Sequence, residues 1–222
     1  MNNNSTRNKD IIIENKFHNY LKDNFYNKFD NYIDIKDIDN QINGIDIILE
    51  NNNKKFNIDE KLQVTKINIP ITKYTTQCFE LKFLSRDENL NFTNIYKKGW
   101  FLDNNKTDFY LISYIEKGSI YNPLNTKLLL ISKDDIYNLL DDYGYDIYYI
   151  ERLSDLMEYN DFYGDIKSNG NKYIRFKNTP FWLCKSYNIP EKPINLIIRW
   201  NILEKYATKS FNLTFNSIEQ TC

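Results

Sequence analysis

The stretch GIDIILENNNKKFNIDEKLQ, residues 44–63, decides how this chain is read. Apolar and polar residues alternate on both sides of Asn51-Asn52-Asn53-Lys54, the pattern of two half-buried strands joined by a tight turn. A turn centred between Asn52 and Asn53 sets Ile47 opposite Ile58, Leu49 opposite Phe56 and Asp46 opposite Asp59. Successive side chains point to opposite faces of a strand. One face therefore gathers Ile45, Ile47, Leu49, Phe56, Ile58 and Leu62, with Glu60 as its single charge. The other carries Asp46, Glu50, Lys55, Asn57, Asp59, Lys61 and Gln63, with Ile48 its one large apolar member. A slip of one residue would put Asp46 opposite Ile58 and mix the faces, so the pattern fixes the register.

That register sets two carboxylates directly across from each other, with Cβ atoms roughly 4.5–5.5 Å apart, where like charges weaken a sheet. A divalent cation between them reverses the sign of the effect. Hard cations such as Mg²⁺ take oxygen ligands and keep several waters; Mn²⁺ suits the same oxygens. Lys61 follows two residues after Asp59 on the same face, placed to orient a water or steady a developing negative charge. A metal polarises a phosphate and lowers the pKa of its water. Asp46, Asp59 and Lys61 are thus the candidate catalytic residues of a phosphodiester hydrolysis, with Asp46 and Asp59 the candidate metal ligands. An ion network on a solvated sheet face is the other reading of the same three side chains.

Outward from the hairpin, residues 11–29 space Ile13, Phe17, Tyr20, Leu21, Phe25 and Phe29 as an amphipathic helix, with Asp10 as its N-cap. His18, the single histidine, is expected on that helix's surface. Glu60, alone on an apolar face, calls for a salt bridge or a sheet-end position. Further strands are expected at 76–84, 108–115, 127–132, 172–177, 180–185 and 194–199, the first of them beside the hairpin. Helices are expected at 134–143, stopped by Gly144, and at 201–207. Trp100 and Phe101 after Gly99 read as core or turn anchors. LLLISKDDIYNLL and LIIRWNILEKYA repeat one strand-then-helix pattern. This order predicts an α/β chain with a mixed β-sheet flanked by helices. One domain is expected over 11–209, between a flexible N-terminal tail (1–10) and a C-terminal tail (210–222).

The chain has 222 residues, 41% of them hydrophobic and 16% aromatic, enough for a core and against wholesale disorder. Cys78, Cys184 and Cys222 form no CxxC pair, which argues against a zinc site or disulfide framework and for a reducing compartment. The polar start MNNNSTRNKD lacks a signal-peptide core and no apolar run is long enough to span a bilayer, so a cytoplasmic protein without membrane partners is expected. No GxxxxGK[ST], GxGxxG or GxSxG segment is present, which removes the commonest nucleotide-binding and serine-hydrolase readings. The net charge of −1 is unevenly spread: residues 127–165 hold three basic and ten acidic side chains, residues 166–222 nine and three. In the basic section Lys172, Arg175 and Lys177 stand among Tyr173, Phe176 and Trp182. Such interleaving suits a phosphate backbone with stacked bases, and equally a solvated face over core rings.

Asp46, followed on the next strand by Asp59-Glu60-Lys61, resembles the PD-(D/E)XK nuclease superfamily, in which an acid on one strand and a (D/E)-x-K triplet on the next bind metal and cleave DNA. Gly44-Ile45-Asp46, Ile58-Asp59-Glu60-Lys61, Phe79-Glu80-Leu81, Gly99-Trp100-Phe101, Thr107-Asp108-Phe109-Tyr110-Leu111 and Pro193-Ile194-Asn195-Leu196 are similar to segments of bacterial and phage proteins of that superfamily, over about residues 11–207. Ile45 stands where the family name has Pro. The resemblance implies a restriction-endonuclease-like fold and an Mg²⁺- or Mn²⁺-dependent endodeoxyribonuclease. It adds Glu14, the one Glu ahead of the hairpin, to the metal ligands. It makes Gln63, with Lys172, Arg175 and Lys177, the candidate substrate contacts, DNA the expected partner and a homodimer the expected assembly. A catalytically inactive DNA-binding or protein-interaction module on the same fold is the alternative.

Overall fold

A computed structural model describes residues 6–29, 31–35, 44–63, 66–103, 106–159, 162–166, 170–214 and 217–221. In chain order it contains α1 (Thr6–Asn24), a 3₁₀ turn (Tyr26–Lys28), β1 (Asn31–Asp34), β2 (Ile47–Asn51), β3 (Lys54–Leu62), β4 (Thr76–Arg86), β5 (Phe92–Lys98), β6 (Phe109–Ser119) and β7 (Asn122–Ile131). Then come α2 (Lys133–Asp142), α3 (Ile147–Glu158), β8 (Asp165–Ile166), β9 (Lys172–Arg175), β10 (Phe181–Lys185), β11 (Ile194–Arg199), α4 (Trp200–Tyr206), β12 (Lys209–Thr214) and β13 (Ser217–Gln220). The chain is mixed α/β, with two sheets.

The hairpin forms in the register its sequence demands. Ile47 pairs with Ile58 and Leu49 with Phe56. Asn52 and Asn53 take φ of 51° and 61°, the two positive values that let a two-residue turn follow the twist of its strands. Asn tolerates them because its short polar side chain bonds locally. Just before β2 the register slips by one residue: the Asp46 N–H donates to Ile58 O at 2.9 Å, although Ile58 is already opposite Ile47, so Asp46 is not paired directly across from Asp59 as the sequence suggests.

Where the sequence suggests one domain over 11–209, the chain divides into two compact units, residues 1–72, 106–135 and 207–222 forming one and 73–105 with 136–206 the other. The first holds a seven-stranded sheet in the order β1-β2-β3-β6-β7-β12-β13, in which β3 and β6 run parallel and all other neighbours antiparallel. Tyr110, Leu111, Ile112, Tyr114 and Ile115 of β6 are fully buried, the both-faces burial of a central strand. Helix α1 and the 3₁₀ turn after it lay Phe17 and Leu21, then Phe25 and Tyr26, against Ile47, Ile58, Leu111, Leu128, Phe211 and Leu213.

Three expectations are corrected here. The first helix already includes Thr6, so residue 10 lies inside it rather than capping it, and residues 6–10 are helix rather than tail, while residues 1–5 lie outside the described residues. Residues 209–220 form β12 and β13 instead of a tail. The alternation of Phe211 and Leu213 in KSFNLT is a strand signal, and both side chains are buried where β12 pairs with β7. Strand β4 does not lie beside the hairpin; the free edge of β3 is taken by β6, and β4 pairs with β5 and β11 in the second unit.

That unit holds a six-stranded antiparallel sheet in the order β5-β4-β11-β10-β9-β8. Its helix α3 has no counterpart in the sequence reading, although Asp146 caps it by accepting the Tyr149 N–H at 2.6 Å and Ile150, Ser154 and Met157 repeat along its buried face. Lys185, fully buried, donates to the carbonyls of Met157 (2.8 Å) and Glu158 (2.9 Å). It thereby places a cation at the negative end of α3, with the Tyr96 and Tyr187 rings each 5.2 Å away. Burial, with Lys192 and Lys172 nearby, brings its pKa down to about 8. Gly99 lies where a Cβ would fall 2.5 Å from Glu80 O, and the turn it permits packs Trp100 and Phe101 around Phe79.

Asn53→Val forces a β-branched residue into the left-handed region, at a cost of about 1–2 kcal/mol. A correspondingly lower midpoint in denaturant, with an unchanged slope, is the expected result.

Candidate functional site

At the carboxyl end of β3 the first unit opens into a cleft of about 750 Å³. Glu14, His18 and Lys22 line it from α1, Asp34 from the end of β1, and Asp46, Glu60 and Lys61 from the hairpin. The three α1 residues follow one another at four-residue steps and so share a helix face.

Asp59 lies beside this cleft and is only 2% exposed. Its Oδ1 accepts a hydrogen bond from Lys61 Nζ at 2.6 Å. Its Oδ2 is buried and has no hydrogen-bond partner among the described residues. The Asp46 carboxylate is close enough to interact with it directly. Two acceptors thus meet with no donor between them. Burial raises the Asp59 pKa from its ordinary 3.8 to about 7; Lys61 works against that rise and Asp46 adds to it. Asp46 itself is anchored, its Oδ2 accepting the Glu60 N–H at 2.8 Å. The Lys61 side chain is 26% exposed. Burial opposes its charge, yet Asp59, then Asp46 and Glu14, outweigh it and hold the ammonium above its usual range.

Glu60 points the other way, onto the face packed against α1. Tyr26 Oη donates to its Oε1 at 2.5 Å and His18 Nδ1 lies 3.0 Å from its Oε2. His18 Nε2 stands 3.3 Å from Asp34 Oδ1, and Lys22 Nζ donates to Asp34 Oδ2 at 2.7 Å. Burial lowers the His18 pKa, but the Glu60 hydrogen bond and the charges of Glu60 and Asp34 raise it further than burial lowers it. The Tyr26 phenol, fully buried and next to Glu60, is pushed well above its ordinary value. The salt bridge expected of Glu60 is present; the surface position expected of His18 is not. The apolar residues around Glu60 were the signal, since a lone acid there must find a cationic or hydroxyl partner.

Asp46, Asp59 and Lys61 come together, and Glu14 lines the same cleft as Asp46 and Lys61. Among the described residues no three His, Cys, Asp or Glu side chains converge as a ready set of metal ligands. Gln63 follows β3, its N–H donating to Ser113 O at 3.0 Å. Lys172, Arg175 and Lys177 belong to the second unit. Lys172 Nζ donates to Phe162 O at 3.3 Å. Arg175 is exposed, 3.9 Å from Asp165 and 5.7 Å from the Trp182 ring. Lys177 is exposed in the turn after β9. Among the described residues no helix is long and apolar enough to cross a membrane.

No protein-family model, curated protein or solved structure matches this chain.

A carboxyl whose pKa is raised on folding binds its proton more tightly in the folded state, so its contribution to stability falls as pH rises between the two values. For Asp59 that window runs from 3.8 to about 7. Asp59→Asn removes this dependence. The stability of the variant relative to the parent is expected to climb across that window and level off above it, read from thermal melts at stepped pH.

Proposed function

We propose that the first unit is a metal-dependent phosphodiesterase of the PD-(D/E)XK type, acting on nucleic acid, with DNA as the expected substrate. The single observation that carries this reading is the approach of Asp46 to buried Asp59, whose Oδ2 has no hydrogen-bond partner among the described residues, beside the Lys61 ammonium. At neutral pH that arrangement calls for a proton or a cation between the carboxylates. Oxygen donors of this kind suit Mg²⁺ or Mn²⁺, so the residues fit the group.

Asp46 and Asp59 would hold the ion, with Glu14 contributing from α1. When bound, the ion supplies charge neutralisation at the phosphate and a lowered pKa for its water. The remaining roles fall to the chain. Lys61 keeps its proton and sets a fixed positive charge where the pentavalent phosphorus gathers negative charge. The Glu60 N–H holds the Asp46 carboxylate in place. The charge of the cleft supports the same reading: Glu14, Asp34, Asp46 and Glu60 outnumber Lys22 and Lys61 among its lining residues, and an anionic backbone enters such a cleft only with added cation. The restriction-endonuclease-like arrangement belongs to this proposal, as do the contacts of Gln63, Lys172, Arg175 and Lys177 with the nucleic acid.

One observation favours a second reading, a non-catalytic module that binds DNA or protein. Lys61 already neutralises one oxygen of Asp59, as it would in a purely structural ion pair. Supercoiled plasmid incubated with the protein and Mg²⁺ or Mn²⁺ separates the two. Nicking that EDTA abolishes, and that Asp59→Ala or Lys61→Ala lowers at least a hundredfold while the circular dichroism spectrum is kept, is the expected result. Salt-sensitive retardation of the plasmid without nicking would establish the second reading.

A further inference from the structure

A carboxylate on an apolar sheet face needs strong partners, and Glu60 has two: Tyr26 Oη of the 3₁₀ turn at 2.5 Å and His18 Nδ1 of α1 at 3.0 Å. His18 has a second acid on its other nitrogen, Asp34 Oδ1 at 3.3 Å, and Asp34 is closed off by Lys22 at 2.7 Å. Contacts run from Tyr26 through Glu60, His18 and Asp34 to Lys22, hydrogen-bonded at each step except between His18 Nε2 and Asp34, where the approach is close but no hydrogen bond forms. Residues 18, 22 and 26 are spaced four apart. The chain of contacts therefore straps one face of α1 and its 3₁₀ extension to the ends of β1 and β3.

Two consequences reach the cleft. Glu60 sits between Asp59 and Lys61 in sequence, and its own N–H holds Asp46 at 2.8 Å, so fixing Glu60 fixes the backbone where those three side chains meet. Glu14 is one helical turn before His18, on the same face and near enough to act on the Lys61 ammonium. We propose that His18, clasped between Glu60 and Asp34, is the positioning residue that sets Glu14 against the Asp46–Asp59–Lys61 cluster. It acts through Glu14 and Glu60 and does not touch the ion. This inference rests on the metal-site reading above.

The test is calorimetric titration of Mn²⁺ into the full-length protein and into His18→Gln, Glu14→Gln, the double variant and Tyr26→Phe. Loss of a group that orients a ligand typically lowers metal affinity by about 10–100-fold. His18→Gln is expected within that range. The double variant is expected to lose less affinity than the sum of the two single losses, because part of the His18 effect runs through Glu14. A merely structural histidine would lower the melting temperature without this non-additivity. Tyr26→Phe keeps the buried ring and removes only the hydroxyl on Glu60, so it reports on the same strap even if His18→Gln folds poorly; a weaker Mn²⁺ affinity is expected there too. Parental affinity in both His18→Gln and Tyr26→Phe, or losses at His18 and Glu14 that add in full, would overturn the proposal while leaving the metal site standing. A folded parent that takes up no Mn²⁺ would remove the metal site and the proposal together.

Discussion

The pairing of β2 with β3 is the constraint on which the first unit depends. Its register is held by a turn in which two consecutive asparagines accept positive φ. It is held as well by the side-chain period of two, which punishes any slip by turning Ile47, Leu49 and Ile58 out of the core. Asp46 sits just before β2, where that register slips by one residue. Its N–H closes on Ile58 O, its side chain accepts from the Glu60 N–H, and its carboxylate is delivered to Asp59. The polar cluster is thus a by-product of apolar sorting on the opposite face of the same two strands.

What was legible in the sequence follows from that local physics. The hairpin, its partners and its two faces came from alternation alone. Strands β6, β7 and β11 were legible as short apolar runs, β7 only from residue 127 on, and α2 as the run that Gly144 ends. Less legible were elements whose signals are capping or pairing rather than periodicity. Helix α3 announces itself through Asp146, and β12 through only two buried residues, Phe211 and Leu213. The placement of β4 in a second sheet could not be read locally, because the partner of a strand edge is decided by which distant strand reaches it first. The chain's division into two units is of the same kind.

The site was half legible. Asp46, Asp59 and Lys61 stood out because like charges across a ribbon are unfavourable and need a reason. His18, Asp34, Lys22 and Tyr26 did not, because their meaning lies in what α1 packs against. Glu60 was the link between the two sets: a charge on the wrong face predicts a partner but does not say which. A spacing of four along α1 from Glu14 through His18 to Lys22 was visible, yet only the strand beneath gives it content.

The first unit is stitched from three separated stretches of chain, and its sheet is finished by β12 and β13 from the last of them. During synthesis the hairpin and α1 leave the ribosome long before β12 exists, and β7 waits with an unpaired edge bearing Leu128 and Leu130. Contacts so distant in sequence form late and slowly. Over that interval the edge of β7 is an adhesive border, so β12, in covering it, guards the nascent sheet against aggregation as much as it completes it.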